Sequence, residues 1–330
     1  MVNMNAFLKI IRWQNLLIVI LTMVFMRYAI IEPIIGRIGI VMINGTGEEV
    51  SMMLRFPWYD FVFLVAATVF LTAGGYVIND YFDIQTDLIN KGKAIVGTKI
   101  PRRAAMMWHI LFNIAGVASG FYISWHSGYF WLGTIFLVVS GLLYFYSASY
   151  KRQFLIGNLL VAALTAMVPL LVAFYEWPAL YRFYKVNAVV LPDIKIIFYW
   201  VGGFAIFAFI TTLAREIIKD IEDFEGDIAH GRNTLPIVIG VLPAKIISIG
   251  LVLITLVLLF LTWYLYLNDS ITLIYLLVAI ALPLVLVIYR IIFSSNKKHL
   301  HTAGRIMKIV MITGILYSVV VKAILTLNLV

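Results

Sequence analysis

The segment N-D-Y-F-D-I-Q-T-D-L-I-N, residues 79–90, closes a long apolar run and carries Asp80, Asp83 and Asp87 in the spacing D-x-x-D-x-x-x-D. The same spacing returns in R-E-I-I-K-D-I-E-D-F-E-G-D-I-A-H-G-R-N-T-L-P-I, residues 215–237, as Asp220, Asp223 and Asp227. On a helix, offsets of three and seven put all three carboxylates on one face. Three like charges on one face repel, and near lipid they are costly. A cation among them removes that cost. Hard divalent ions such as Mg²⁺ take carboxylate oxygens and keep positions open for phosphate; Mn²⁺ satisfies the same oxygens. Two such faces in an apolar chain predict a metal-bridged diphosphate carrying a greasy tail.

The rest of the chain supplies the membrane. Of 330 residues, 63% are hydrophobic and only 12% charged, with a mean hydropathy of +1.01, against about 25% charged residues in a soluble domain. There is no cysteine, hence no disulfide framework and no thiolate chemistry. The net charge of +9 reads as basic loops beside a bilayer, not as a nucleic-acid surface. Nine apolar runs have spanning length: roughly 14–31, 59–79, 104–124, 129–148, 155–175, 196–214, 245–267, 271–293 and 306–328. The first lacks a small-residue cleavage site and reads as a retained span. The expected fold class is all-α, a polytopic membrane protein of one domain, residues 1–330. Gly74-Gly75 and Gly202-Gly203, each shortly before an acidic cluster, are expected at close helix contacts.

Charge asymmetry sets an orientation. With the N-terminus inside, seven basic residues (Arg27, Arg37, Arg55, Arg182, Lys185, Lys195 and Lys322) fall outside, and the other 18 of 25, Lys308 among them, fall in inner loops and ends. This predicts a multi-pass cell-membrane protein with a cytoplasmic N-terminus and an external C-terminus. Both aspartate clusters then lie on the cytoplasmic side, at the inner ends of spans two and six. Nine of the 16 acids sit in those two segments, Glu216 included. The five histidines show no zinc spacing. Glu176 and Asp193 read as structural.

With these motifs in view, the chain resembles the UbiA-type intramembrane prenyltransferases over nearly its whole length. Residues 79–90 look like the family's first aspartate-rich motif and residues 215–237 like its second. The resemblance implies nine helices around a central cavity open to lipid, and transfer of a prenyl group from a prenyl diphosphate to a lipophilic acceptor in the bilayer. It implies metal ligation by Asp80, Asp83, Asp87, Asp220, Asp223 and Asp227, with Asp80, Asp83, Asp220, Asp223 and Lys151 as catalytic residues. Lys151 comes from Y-S-A-S-Y-K-R, residues 146–152, which is similar to the family's tyrosine–lysine segment. R-W-Q-N, residues 12–15, resembles the start of the family's first span and offers Asn15 for substrate contact, with Asn79 and Tyr146.

The chemistry of the residues agrees independently. Basic side chains hold a leaving diphosphate, and Lys151, Arg215, Lys219 and Arg232 are placed to do so. Aromatic faces steady an allylic cation, with Tyr76, Tyr81, Tyr144, Tyr146 and Tyr150 near the inner span ends. Two departures from the family pattern stand out. The proline-rich loop after the first motif is replaced by N-K-G-K-A-I-V-G-T-K-I-P-R-R, with Lys93 where an arginine is usual. G-x-R-T-L-P becomes G-R-N-T-L-P, which shifts Arg232 by one position.

Within the family, D-x-I-N at Asp87–Asn90 and the run from Arg215 to Gly240 are most similar to the digeranylgeranylglyceryl phosphate synthase branch. That implies a geranylgeranyl donor and the free hydroxyl of a prenylglyceryl phosphate as acceptor. An aromatic acceptor leading to a quinone precursor is the alternative. A non-enzymatic polyprenyl-lipid transporter or scaffold is the further one.

Overall fold

A backbone in hydrocarbon must satisfy its own hydrogen bonds, so the apolar runs fold as helices. The computed structural model describes residues 4–43, 49–92, 94–294 and 296–327. A short helix α1 (Met4–Ile10) precedes α2 (Trp13–Ile35). Then follow α3 (Trp58–Phe82), α4 (Ile84–Lys91), α5 (Arg102–His126), α6 (Phe130–Ala148), α7 (Ile156–Asn187), α8 (Ile196–Glu222), α9 (Phe224–Ala229) and α10 (Leu235–Ile239). The series closes with α11 (Val241–Leu267), α12 (Ser270–Ile292) and α13 (Lys297–Leu327). Among the described residues nine of these are long and apolar enough to cross a membrane. The chain is thus an all-α, multi-pass membrane protein.

Six spans, α2, α3, α6, α7, α8 and α13, surround a central cavity; α5, α11 and α12 pack outside them. Closeness comes from small residues. A Cβ on Gly74 would stand 2.8 Å from Asn113 Nδ2 on α5, and one on Gly75 would stand 3.0 Å from Leu143 Cδ2 on α6. The Gly202-Gly203 expectation fails: a Cβ on either meets nothing within 4 Å, because this part of α8 presents both positions to open space.

The fifth span overruns its expected end. α7 has 32 residues, about 48 Å at 1.5 Å per residue, and continues through Glu176. That carboxylate is fully buried and 3.3 Å from Arg27 Nε. It also accepts from the backbone N–H groups of Arg55 and Phe56 at 2.9 and 3.0 Å. Arg27 lies over the Phe61 ring at 4.6 Å and donates to the Phe56 carbonyl. A charge so compensated does not end a membrane helix. On this far side, remote from the aspartates, strands β1 (Gly39–Val41) and β2 (Glu49–Ser51) pair antiparallel, and the segment docks on α7 through Met53 N–H to the Tyr184 hydroxyl at 2.8 Å.

Candidate active site

Both acidic motifs sit on corners. α3 stops at Phe82 and α4 starts at Ile84, with Asp83 between at φ −92°, ψ 7°. α8 stops at Glu222 and α9 starts at Phe224, with Asp223 between at φ −90°, ψ 6°. The single-helix-face reading of each triplet is therefore corrected. The middle aspartate takes the bridge conformation, and the third is carried on a new short helix. The corner relieves the repulsion that one face would concentrate.

Basic side chains from distant segments meet these carboxylates. Arg12, at φ 51° in the joint between α1 and α2, reaches Asp80 Oδ1 at 3.0 Å and covers the Tyr76 ring at 4.7 Å. Lys151 Nζ lies 2.7 Å from Asp83 Oδ1 and donates to Asn79 Oδ1 at 3.2 Å. Arg232 reaches Asp83 at 2.8 Å, Asp227 at 3.2 Å and the Thr86 hydroxyl at 3.1 Å, so one guanidinium ties the two motifs together despite its shifted place in the sequence. Asn158 donates to Asp220 Oδ2 at 2.7 Å. Asp87 is half-buried on α4. Among the described residues, the Asp223 carboxylate makes no hydrogen bond or ion pair. Lys93 lies outside the described residues.

Electrostatics follow from this packing. Burial works to raise the Asp83 carboxyl, but Lys151 and then Arg232 overcome it and hold it below the usual carboxylate range. Burial pulls the Lys151 ammonium down to about 8, with Asp83 resisting. Burial raises Asp227, with Arg232 opposing. Lys151 stands in a one-turn 3₁₀ segment, Tyr150–Arg152, pressed onto Gly157 at the start of α7. A Cβ on Gly157 would fall 2.8 Å from the Lys151 Cα. Only glycine admits that approach.

Below the corners lies a cavity of about 300 Å³. Asn15, Asn79, Tyr146, Arg215 and Lys219 all line it, as do Tyr76 and Arg12. The aspartate carboxylates stand at its mouth rather than in its wall. Tyr81 faces a separate groove beside Arg102, and Tyr144 is 39% exposed. Two lining residues have no role in the sequence reading. Glu216 pairs with Arg215 at 2.6 Å and approaches Lys219 at 3.8 Å; its position one turn before Asp220 was the available signal. Lys308, counted there only as an inner-side charge, lines the cavity and donates to Asn15 Oδ1 at 2.8 Å. Asn15 in turn donates to the Tyr76 hydroxyl at 3.2 Å. The walls then turn apolar through Leu71, Val139, Leu164 and Val168 and end at Phe136 and Leu171. Beyond that floor Met23, Leu64 and Tyr175 are fully buried.

Among the described residues no three carboxylate or histidine side chains converge as a ready-made metal cage. The donor set nonetheless fits a hard divalent ion. Every candidate ligand is a carboxylate oxygen, and within ion-pair distance Asp83 meets Lys151 and Arg232 while Asp227 shares Arg232.

A ring of membrane helices with an acidic mouth over an apolar cavity defines an intramembrane transferase of greasy substrates. The chain belongs to the UbiA prenyltransferase family, whose model matches residues 50–312, and it is a prenyltransferase. It is 30% identical over 255 residues to the digeranylgeranylglyceryl phosphate synthase of Methanosphaera stadtmanae, covering 76% of this chain and 84% of that one. Among solved structures, one of a digeranylgeranylglyceryl phosphate synthase superposes with a TM-score of 0.62 at 23% identity, covering 96% of this chain and 98% of the other. A UbiA homologue from Archaeoglobus fulgidus, bound to DMAPP and Mg²⁺, superposes with a TM-score of 0.53 at 17% identity, over 95% of this chain and 99% of the other.

Proposed function

We propose that this protein moves a prenyl group, geranylgeranyl by preference, from its diphosphate to the free hydroxyl of a prenylglyceryl phosphate. The bond between C1 of the prenyl chain and the diphosphate oxygen breaks, and a C1–O ether bond to the acceptor forms. The hydroxyl proton passes to the departing diphosphate, the base nearest the reacting carbon. The observation that carries this reading is a mouth of carboxylates and cations set directly over an apolar cavity.

Asp80, Asp83, Asp87, Asp220, Asp223 and Asp227 are the residues that would hold Mg²⁺, which would supply Lewis-acid neutralisation of the diphosphate; Mn²⁺ would suit the same donors. Lys151 and Arg232, already gathered on Asp83, are in reach of the leaving group and stabilise its growing charge. Asn79 fixes the Lys151 ammonium. Tyr146 and Tyr76, the latter with Arg12 over its ring, line the cavity where an allylic cation develops. The apolar wall holds the chain and excludes water from C1. The likeness to digeranylgeranylglyceryl phosphate synthases supports the ether acceptor. The chain acts as one membrane domain with its N-terminus and aspartate side in the cytoplasm and its C-terminus outside.

The test uses purified protein in lipid with Mg²⁺ and labelled geranylgeranyl diphosphate. One arm receives geranylgeranylglyceryl phosphate and a parallel arm receives 4-hydroxybenzoate. A labelled double-chain ether that vanishes with EDTA is the expected result. Product in the aromatic arm alone overturns the acceptor.

A further inference from the structure

The cavity holds more positive charge than a donor diphosphate at the mouth accounts for. Arg12, Arg215, Lys219 and Lys308 all line it. Asp80 pairs with Arg12, and Glu216 is the acid between Arg215 and Lys219. Lys219 also faces Asp83, Asp220 and Asp227 beyond the lining, so the cation left without an acid is Lys308, within an apolar bundle where an uncompensated charge is costly. Its ammonium meets the neutral Asn15 side chain at 2.8 Å, and its charged neighbours, Arg215 and Arg12, are cations. No acid among the described residues lies within ion-pair distance of it. An ionisable side chain that faces the interior of a membrane bundle marks a candidate functional site.

We infer that Lys308, with Arg215, forms a second anion subsite in the cavity, one that binds the phosphate monoester of the acceptor. The inference rests on the prenyl-transfer reading above and specifies how that site tells one acceptor from another. The position suits the chemistry. Arg215 precedes Asp220 by five residues on α8, about 7–8 Å deeper along the helix. In a prenylglyceryl phosphate, two carbons and an ester oxygen separate the free hydroxyl from phosphorus. A phosphate held at Lys308 and Arg215 therefore leaves the hydroxyl between that subsite and the aspartates, beside C1 of the donor. Lys308 and Arg215 together offer two cationic side chains to a phosphate dianion, Lys308 with no acid of its own and Arg215 beside Glu216. Lys151 and Arg232, which do not line the cavity, stay with the diphosphate. An aromatic carboxylate brings one negative charge and a flat ring to the same place, and meets only half of this provision.

The alternative is that Lys308 merely braces Asn15 and runs its ammonium toward the interface. The two are separated by kinetics with wild type, Lys308→Gln and Lys308→Arg, each confirmed by an unchanged unfolding temperature. Each is assayed with geranylgeranylglyceryl phosphate and with its dephosphorylated counterpart, varying donor and acceptor separately. Lys308→Gln keeps a hydrogen bond to Asn15 but loses the charge. The expected result is a roughly ten- to hundredfold fall in the kcat/KM preference for the phosphorylated acceptor, carried by its KM. The donor KM moves by less than about threefold, and Lys308→Arg restores most of the preference. An unchanged preference, or a donor KM that rises in step, overturns the subsite. Wild type forming ether with neither acceptor overturns the functional reading and the subsite with it; ether formation with an unchanged preference overturns the subsite alone.

Discussion

Asp83 is the residue on which the site converges, since Lys151 and Arg232 both end on its Oδ1. Asp83→Asn should lower the rate of prenyl transfer by roughly 100-fold or more at saturating Mg²⁺, a loss typical of removing one preorganised charge contact; initial rates at wild-type protein levels check this. Gly157 makes a sharper test because it touches no substrate. Gly157→Ala must push the Lys151 backbone away, so prenyl transfer should fall roughly tenfold or more. Gly141→Ala, where a Cβ meets nothing within 4 Å, should leave the rate intact and the unfolding temperature the same or higher. At this scale the sequence was informative about donors and uninformative about direction. The six aspartates, Lys151 and Arg232 were legible because charge in an apolar chain is scarce and must be compensated. Lys308 was not, because a lysine near a span end has the same one-dimensional signature whether it faces solvent or a cavity. Arg232, one position off the family pattern, meets Asp83 after the turn at Gly231, φ 62°.

Elements were legible in number and less so in extent. Counting apolar runs ended the fifth span at residue 175 because Glu176 follows, whereas α7 continues to Asn187. The missing information was the partner: Arg27, far away in sequence, neutralises Glu176 within the bundle. Glu176→Ala strands that guanidinium and should cost about 3–5 kcal/mol, read as a lowered unfolding temperature in detergent. Replacing Arg27 and Glu176 together by leucine should cost less than the single change. The corners at Asp83 and Asp223 were hidden for a related reason. Neither position carries glycine or proline, the usual punctuation of a break, so the pattern read as an unbroken helix.

For the whole molecule, fold class and span count follow from hydropathy, but the division into six cavity-lining and three peripheral helices does not. Spans that are apolar all round carry no stripe to say which side faces inward. The proposed orientation is testable because the chain has no cysteine. A single cysteine at Val190, exposed on the far side, should react with an impermeant maleimide on intact cells, and one at Phe293, exposed on the aspartate side, only after permeabilisation. The reverse pattern would invert the topology.

The cavity floor has a consequence for the surrounding bilayer. It ends at Phe136 and Leu171, about 16 Å along α3 from Asn79 to Thr68, and the fully buried packing around Tyr175 and the Arg27–Glu176 pair closes what lies beyond. On the proposed reading, a lipid finished in such a dead end returns to the leaflet it was drawn from, so prenyl transfer by itself would enlarge one monolayer and not the other.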